Sequence, residues 1–142
     1  MPHASDKSIF SFRGVEPIDQ WCDPASGCLE TGVDDDPTTN AMSVTALRFA
    51  VEVALIVGWS NASEIARFQT VADGLVLRYN ASLGVHMLGS HVIAADKPHT
   101  YSCPEDVGYL SYPLGPSLNI SAEQRRRDLM YWQRYTCLEN PG

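Results

Sequence analysis

Between Ala41 and Val57 the chain is mostly apolar, and the run is closed by Asp36-Pro37 on one side and Gly58 on the other. An aspartate before a proline supplies an N-cap and a first helical residue, so the pattern predicts a long helix that stops near the glycine. Ala46, Ala50 and Ala54 recur every fourth residue and would let another helix approach closely, with Leu47, Val51 and Leu55 adding bulk beside them. The β-branched Val51, Val53, Ile56 and Val57 would also suit a buried strand. After a short gap, Asn61 and Glu64 form a capping-box-like pair. Ile65, Phe68, Ala72, Leu75, Tyr79, Ser82, His86, Gly89 and Ile93 then follow at helical spacing, which predicts a second helix whose seam turns small and polar near its centre. Gly74, Gly84 and Gly89 each cost about 1 kcal/mol relative to alanine inside a helix. The competing prediction is therefore a hairpin of strands at about 75–94.

All nine prolines and all four cysteines fall outside residues 38–97. Proline breaks helices, so this distribution separates a helical middle from two punctuated flanks. From 96 to 118 come Pro98, Pro104, Pro113 and Pro116 with Tyr101, Tyr109 and Tyr112, a composition that predicts an irregular segment packing its rings on a neighbour. Ser121 and Gln124 read as a capping box opening a short helix through about Cys137. The expected architecture is mainly α: a central helical hairpin, extended Pro-rich flanking arms and a short C-terminal helix. One domain over 1–142 would comprise an acidic arm (1–36), a helical core (37–95), an irregular aromatic segment (96–118) and a C-terminal helix (119–142). The competing hairpin would make the fold α+β.

A length of 142 residues with 44% hydrophobic and 19% charged side chains fits a chain that buries a core of its own. The formal charge of −7 disfavours nucleic acid as a partner, because phosphate binding needs clustered lysine and arginine. Residues 1–40 hold two basic and eight acidic side chains, whereas 119–142 hold four arginines and three acids, so an acidic arm could lie on the basic end of this chain or of another. Arg48 and Glu52 stand near the centre of the apolar run at i, i+4 spacing. They argue against a membrane span and limit membrane contact to a larger assembly that covers the charges. The polar start of the chain favours an intracellular protein, or one whose secretory signal has been removed.

Candidate chemistry is sparse. His86, His91, His99 and Cys103 offer imidazole and thiolate, a donor set suited to zinc or another transition metal, although the five-residue step from His86 to His91 requires the helix to bend or end between them. Cys103 beside His99 is better read as a structural thiol than as a nucleophile, since Pro104 follows it. Cys22 and Cys28 could bridge to Cys103 and Cys137 in an oxidising compartment; three pairings are open, and in a reducing one the four would be small buried hydrophobes. Asp34, Asp35 and Asp36 lack a calcium-loop pattern and read as a solvated turn that ends by capping the first helix. The triplets at Asn61, Asn80 and Asn119 fit glycosylation only in a secreted protein and otherwise act as caps and turns. Dinucleotide, P-loop and hydrolase signatures are absent from the sequence.

Arg125, Arg126, Arg127 and Arg134 are interleaved with Tyr131, Trp132 and Tyr135, residue types enriched at protein interfaces. The expectation is a non-catalytic interaction or structural subunit of a larger assembly, with protein partners or further copies of itself. A small metal-dependent enzyme with the His/Cys site and a secreted, disulfide-stapled effector-like protein are the alternatives.

Overall fold

A computed structural model describes residues 8–15, 22–23, 27–28, 34–87 and 105–133. Two short strands, β1 (Cys22–Asp23) and β2 (Gly27–Cys28), pair antiparallel with Cys22 opposite Cys28. The expected bridges from these two cysteines to Cys103 and Cys137 fall outside the described residues. Helix α1 (Pro37–Ile56) and helix α2 (Ala62–Gly74) form the central hairpin. A second strand pair follows, β3 (Tyr79–Asn80) with β4 (Val85–His86), then helix α3 (Glu105–Ser111), a 3₁₀ turn (Gly115–Leu118) and helix α4 (Ala122–Trp132). The fold is mainly α.

Local chemistry sets the helix starts. Asp36 Oδ2 accepts the Thr39 N–H at 2.7 Å, Asn61 Oδ1 accepts that of Glu64 at 3.3 Å and Ser121 Oγ accepts that of Gln124 at 3.1 Å, so α1, α2 and α4 each have one otherwise unpaired donor satisfied. Helix α1 ends where Gly58 takes φ +69° and Trp59 N–H turns back to the Ala54 carbonyl at 2.8 Å.

The second helix is shorter than its spacing predicts. It stops at Gly74, and Leu75 is extended with ψ 132°. Residues 75–87 form the strand hairpin instead, turned by Asn80, whose Oδ1 accepts the Ser82 and Leu83 N–H groups, and by Gly84 at φ +72°. The expected helical seam is corrected accordingly from Leu75 to His86, where the competing hairpin is present; its last members, Gly89 and Ile93, and the rest of the expected core to 95 lie outside the described residues. The cause is tertiary. Residues 8–12 run along the exit of α2, where Phe10 N–H donates to the Gly74 carbonyl at 2.8 Å and the Val76 N–H donates to Phe10 at 3.2 Å. A methyl group on Gly74 would fall on the Ser8 carbonyl and the Phe10 ring. Gly74→Ala is thus expected to lower stability by about 1–3 kcal/mol, despite alanine's better helix propensity. A denaturant melt showing a more stable variant would mean that this segment does not dock there.

Two further expectations change. The segment 96–118 is not irregular throughout: Pro104 and Pro113 bracket α3 without interrupting it. Asp35 and Asp36 are buried and do not make a solvated turn. Asp36 Oδ1 and Asn40 Oδ1 are enclosed without a hydrogen-bond partner.

The core has two parts. Val44, Ala72 and Leu75 pack with Phe10, Leu47 and Val71 between the central helices. Ala41, Val85, Met87, Val107, Leu110 and Trp132 form the larger cluster, which joins the start of α1 to the strand hairpin, α3 and α4. Both clusters engage mainly the first half of α1, and its second half, with the start of α2, projects beyond them.

Candidate functional site

Of the four residues expected to hold a metal, only His86 is described; His91, His99 and Cys103 lie outside. It sits on β4, not on a helix, and its ring is buried against α4. Asp128, 0% exposed, receives three hydrogen bonds: the His86 N–H and the Gln124 side-chain amide reach Oδ1, each at 2.9 Å, and His86 Nδ1 reaches Oδ2 at 2.8 Å. A carboxylate only accepts, so Nδ1 carries a proton and donates it to Asp128. Gln124 also donates to the Gly84 carbonyl at 2.8 Å and accepts from the Tyr79 hydroxyl at 3.3 Å. Its side chain therefore holds the hairpin and does not close the capping box back onto Ser121. Trp132 Nε1 donates to the His86 carbonyl at 2.9 Å, and the Tyr79 ring meets the imidazole edge-on at 5.2 Å.

This arrangement orients one imidazole firmly, as carboxylates do for metal-ligating histidines. Among the described residues, however, no group of three or more histidine, cysteine or acidic side chains is gathered. What the network visibly does is pin β3 and β4 to α4.

The arginine helix divides. Arg126 and Arg127 are exposed and lie 3.7 Å and 3.2 Å from Glu123 on the same helix, pairs that contribute little to stability. Arg125 is half-buried with its stem against Gly115. Trp132, only 2% exposed, belongs to the core, which corrects its expected place on a partner surface, and Tyr131 is half-buried beside it with their rings 5.1 Å apart. Arg134 and Tyr135 lie outside the described residues.

Among the described residues, exposed large apolar side chains gather elsewhere. Phe49 is 65% exposed, Ile56 83% and Trp59 56%, and Met42, Val53 and Val57 are exposed with them on the outer face of α1. Beside them a groove of about 280 Å³ opens between α1 and α2, lined by Phe49, Val53, Trp59, Ile65 and Phe68, with Glu64 at its polar margin. Phe68, expected inside a closed seam, is half-buried at this groove. The alanine row is turned partly outward as well: Ala54 is buried, whereas Ala46 is exposed. Arg48 does not pair with Glu52; its guanidinium donates to the Ser117 carbonyl at 2.6 Å and to Asp73 at 3.3 Å.

Helix α1 is long and apolar enough to cross a membrane, with mean hydropathy 1.3, a test that core helices of soluble proteins also pass. The sequence signal for the outer face was present in the four-three spacing of Met42, Ala46, Phe49, Val53 and Ile56, which the more conspicuous alanines masked. No protein-family model and no curated protein matches this chain.

Proposed function

We propose that this protein is a non-catalytic interaction or structural subunit of a larger protein assembly. The observation that supports this reading is the exposed face of α1 and the groove beside it. Met42, Phe49, Val53, Ile56, Val57 and Trp59 are each at least 36% exposed within eighteen positions of the chain, a gathering of large apolar side chains of the kind that marks an interaction surface. Surface of that kind is costly in water and is found where another molecule covers it. Substituting glutamate at Ile56 places a charge on this face without disturbing the two core clusters. The native particle measured in extracts of the source cell is expected to exceed the 15.6 kDa of one chain and to shrink in Ile56→Glu. A particle of one chain's mass in both would remove the basis for the reading.

A second reading, a small metal-dependent enzyme, is favoured by the 2.8 Å bond that orients His86 on Asp128. It requires purified full-length protein to carry a stoichiometric transition metal that His86→Ala loses.

A further inference from the structure

We propose that the apolar face of α1 is covered by the same face of a second copy of this chain, forming a two-fold symmetric dimer in which the two α1 helices cross at Phe49 and Val53. This inference rests on the interaction reading above and names its partner.

Three features favour a second copy. The exposed residues Met42, Ala46, Phe49, Val53 and Ile56 keep the four-three spacing of a helix-packing seam over about four turns, so the face can interlock with a copy of itself. Extent agrees, since the exposed side chains run along about four helical turns, long enough for the centre of a standard interface of ~800 Å² per partner. Shape is the third. The seam alternates large Phe49 and Ile56 with small Ala46, the half-buried Ala50 flanks it, and the groove of about 280 Å³ beside Phe49 can receive a side chain projecting from the facing helix.

Charge disfavours an anionic membrane as the occupant. An anionic bilayer surface needs lysine and arginine along the polar border of the helix, and here Glu52 stands exposed on α1 and Glu64 borders the groove, while Arg48 is engaged by Ser117 and Asp73. Dimerisation brings together two chains of charge −7, so added salt should strengthen it by screening their mutual repulsion.

Sedimentation equilibrium of the purified full-length chain tests this directly. The expected result is a mass twice 15.6 kDa at micromolar concentration, with an association constant that rises with salt. Phe49→Glu is expected to weaken association about 30-fold or more, the effect of losing an interface hot spot, while its denaturant melt stays close to that of wild type because Phe49 is 65% exposed. Phe49→Leu, which keeps the seam apolar, is expected to retain the dimer and guards against a folding artefact. A monomeric purified chain overturns the inference. If the native particle in cell extract is nonetheless larger and shrinks in Ile56→Glu, the interaction reading stands with a different partner; if it too is a monomer, both fall. Flotation of the wild-type chain with phosphatidylcholine vesicles in place of dimerisation would assign the face to a membrane, and a dimer that weakens with salt would place the interface between the acidic arm and the arginine helix. Either result would also overturn it.

Discussion

Asp128→Ala is expected to lower stability by about 3–5 kcal/mol, the scale for breaking a buried, hydrogen-bonded polar pair by removing one partner. The carboxylate is fully enclosed and is the common acceptor for the His86 N–H, the His86 imidazole and the Gln124 amide. Alanine leaves those donors facing a cavity in a region that water does not reach, and each unsatisfied buried group carries its own desolvation cost of about 1–3 kcal/mol. The loss should be local in character. The strand hairpin is tied to α4 through Asp128, Gln124 and Trp132, so hydrogen exchange at the His86 amide is expected to accelerate more than exchange in the middle of α1. Asp128→Asn retains one carbonyl acceptor and should fall between wild type and alanine. An Asp128→Ala variant within 1 kcal/mol of wild type in urea would show that the network is not closed as described.

The residues that were legible in the sequence are those whose partners are near neighbours. Asp36, Asn61 and Ser121 each bind an N–H three positions on, a contact that needs no tertiary structure, and the starts of α1, α2 and α4 follow from it. The end of α2 was not legible for the opposite reason. The three-four spacing continues through Leu75, Tyr79 and His86, but Tyr79 is exposed and the burial of the other two has separate origins: Leu75 is held as extended chain beside Phe10, and His86 faces α4 from a strand. Period alone cannot distinguish a continuous helical face from separately buried positions that happen to share its phase. In the same way, prolines bracketing seven residues concealed α3, since a proline before or after a helix is compatible with it and only an interior one is not. Of the candidate site, His86 was visible as a chemically capable residue, but the orienting carboxylate lies 42 positions away on another helix and could not be found by spacing. The outer face of α1 was written in its heptad spacing, yet only the structure shows which side of that apolar helix the core leaves uncovered.

The acidic run Asp34, Asp35 and Asp36 gives the second large expected effect. A cluster of three aspartates resembles solvated surface, but its middle member is buried and receives both Nε and Nη2 of Arg78 at 3.1 and 2.8 Å and the Ser11 hydroxyl at 2.6 Å. Its own N–H donates to the Phe12 carbonyl at 2.9 Å, so one residue joins the amino-terminal segment, the start of α1 and the approach to β3. Asp35 also adopts φ +56°, a conformation aspartate tolerates better than alanine does. Asp35→Ala therefore removes charge-assisted hydrogen bonds, worth about 1.5–3 kcal/mol, and adds a backbone penalty of about 1–2 kcal/mol. The total expected loss is about 3–4 kcal/mol, discounted at the arginine end because the Arg78 side chain is partly exposed to solvent. Asp35→Asn preserves the backbone preference and one acceptor, and should lose only the charge-dependent part. Asp35→Gly relieves the backbone and loses every side-chain bond. Urea melts of the three variants are expected in the order Asn, Gly, Ala from most to least stable. With the loss comes release of residues 8–15, read as faster proteolysis at Phe10, Phe12 or Arg13. If alanine proves as stable as asparagine at this site, neither the ion pair nor the left-handed turn constrains the segment, and Asp35 behaves as the solvated residue its neighbours suggest.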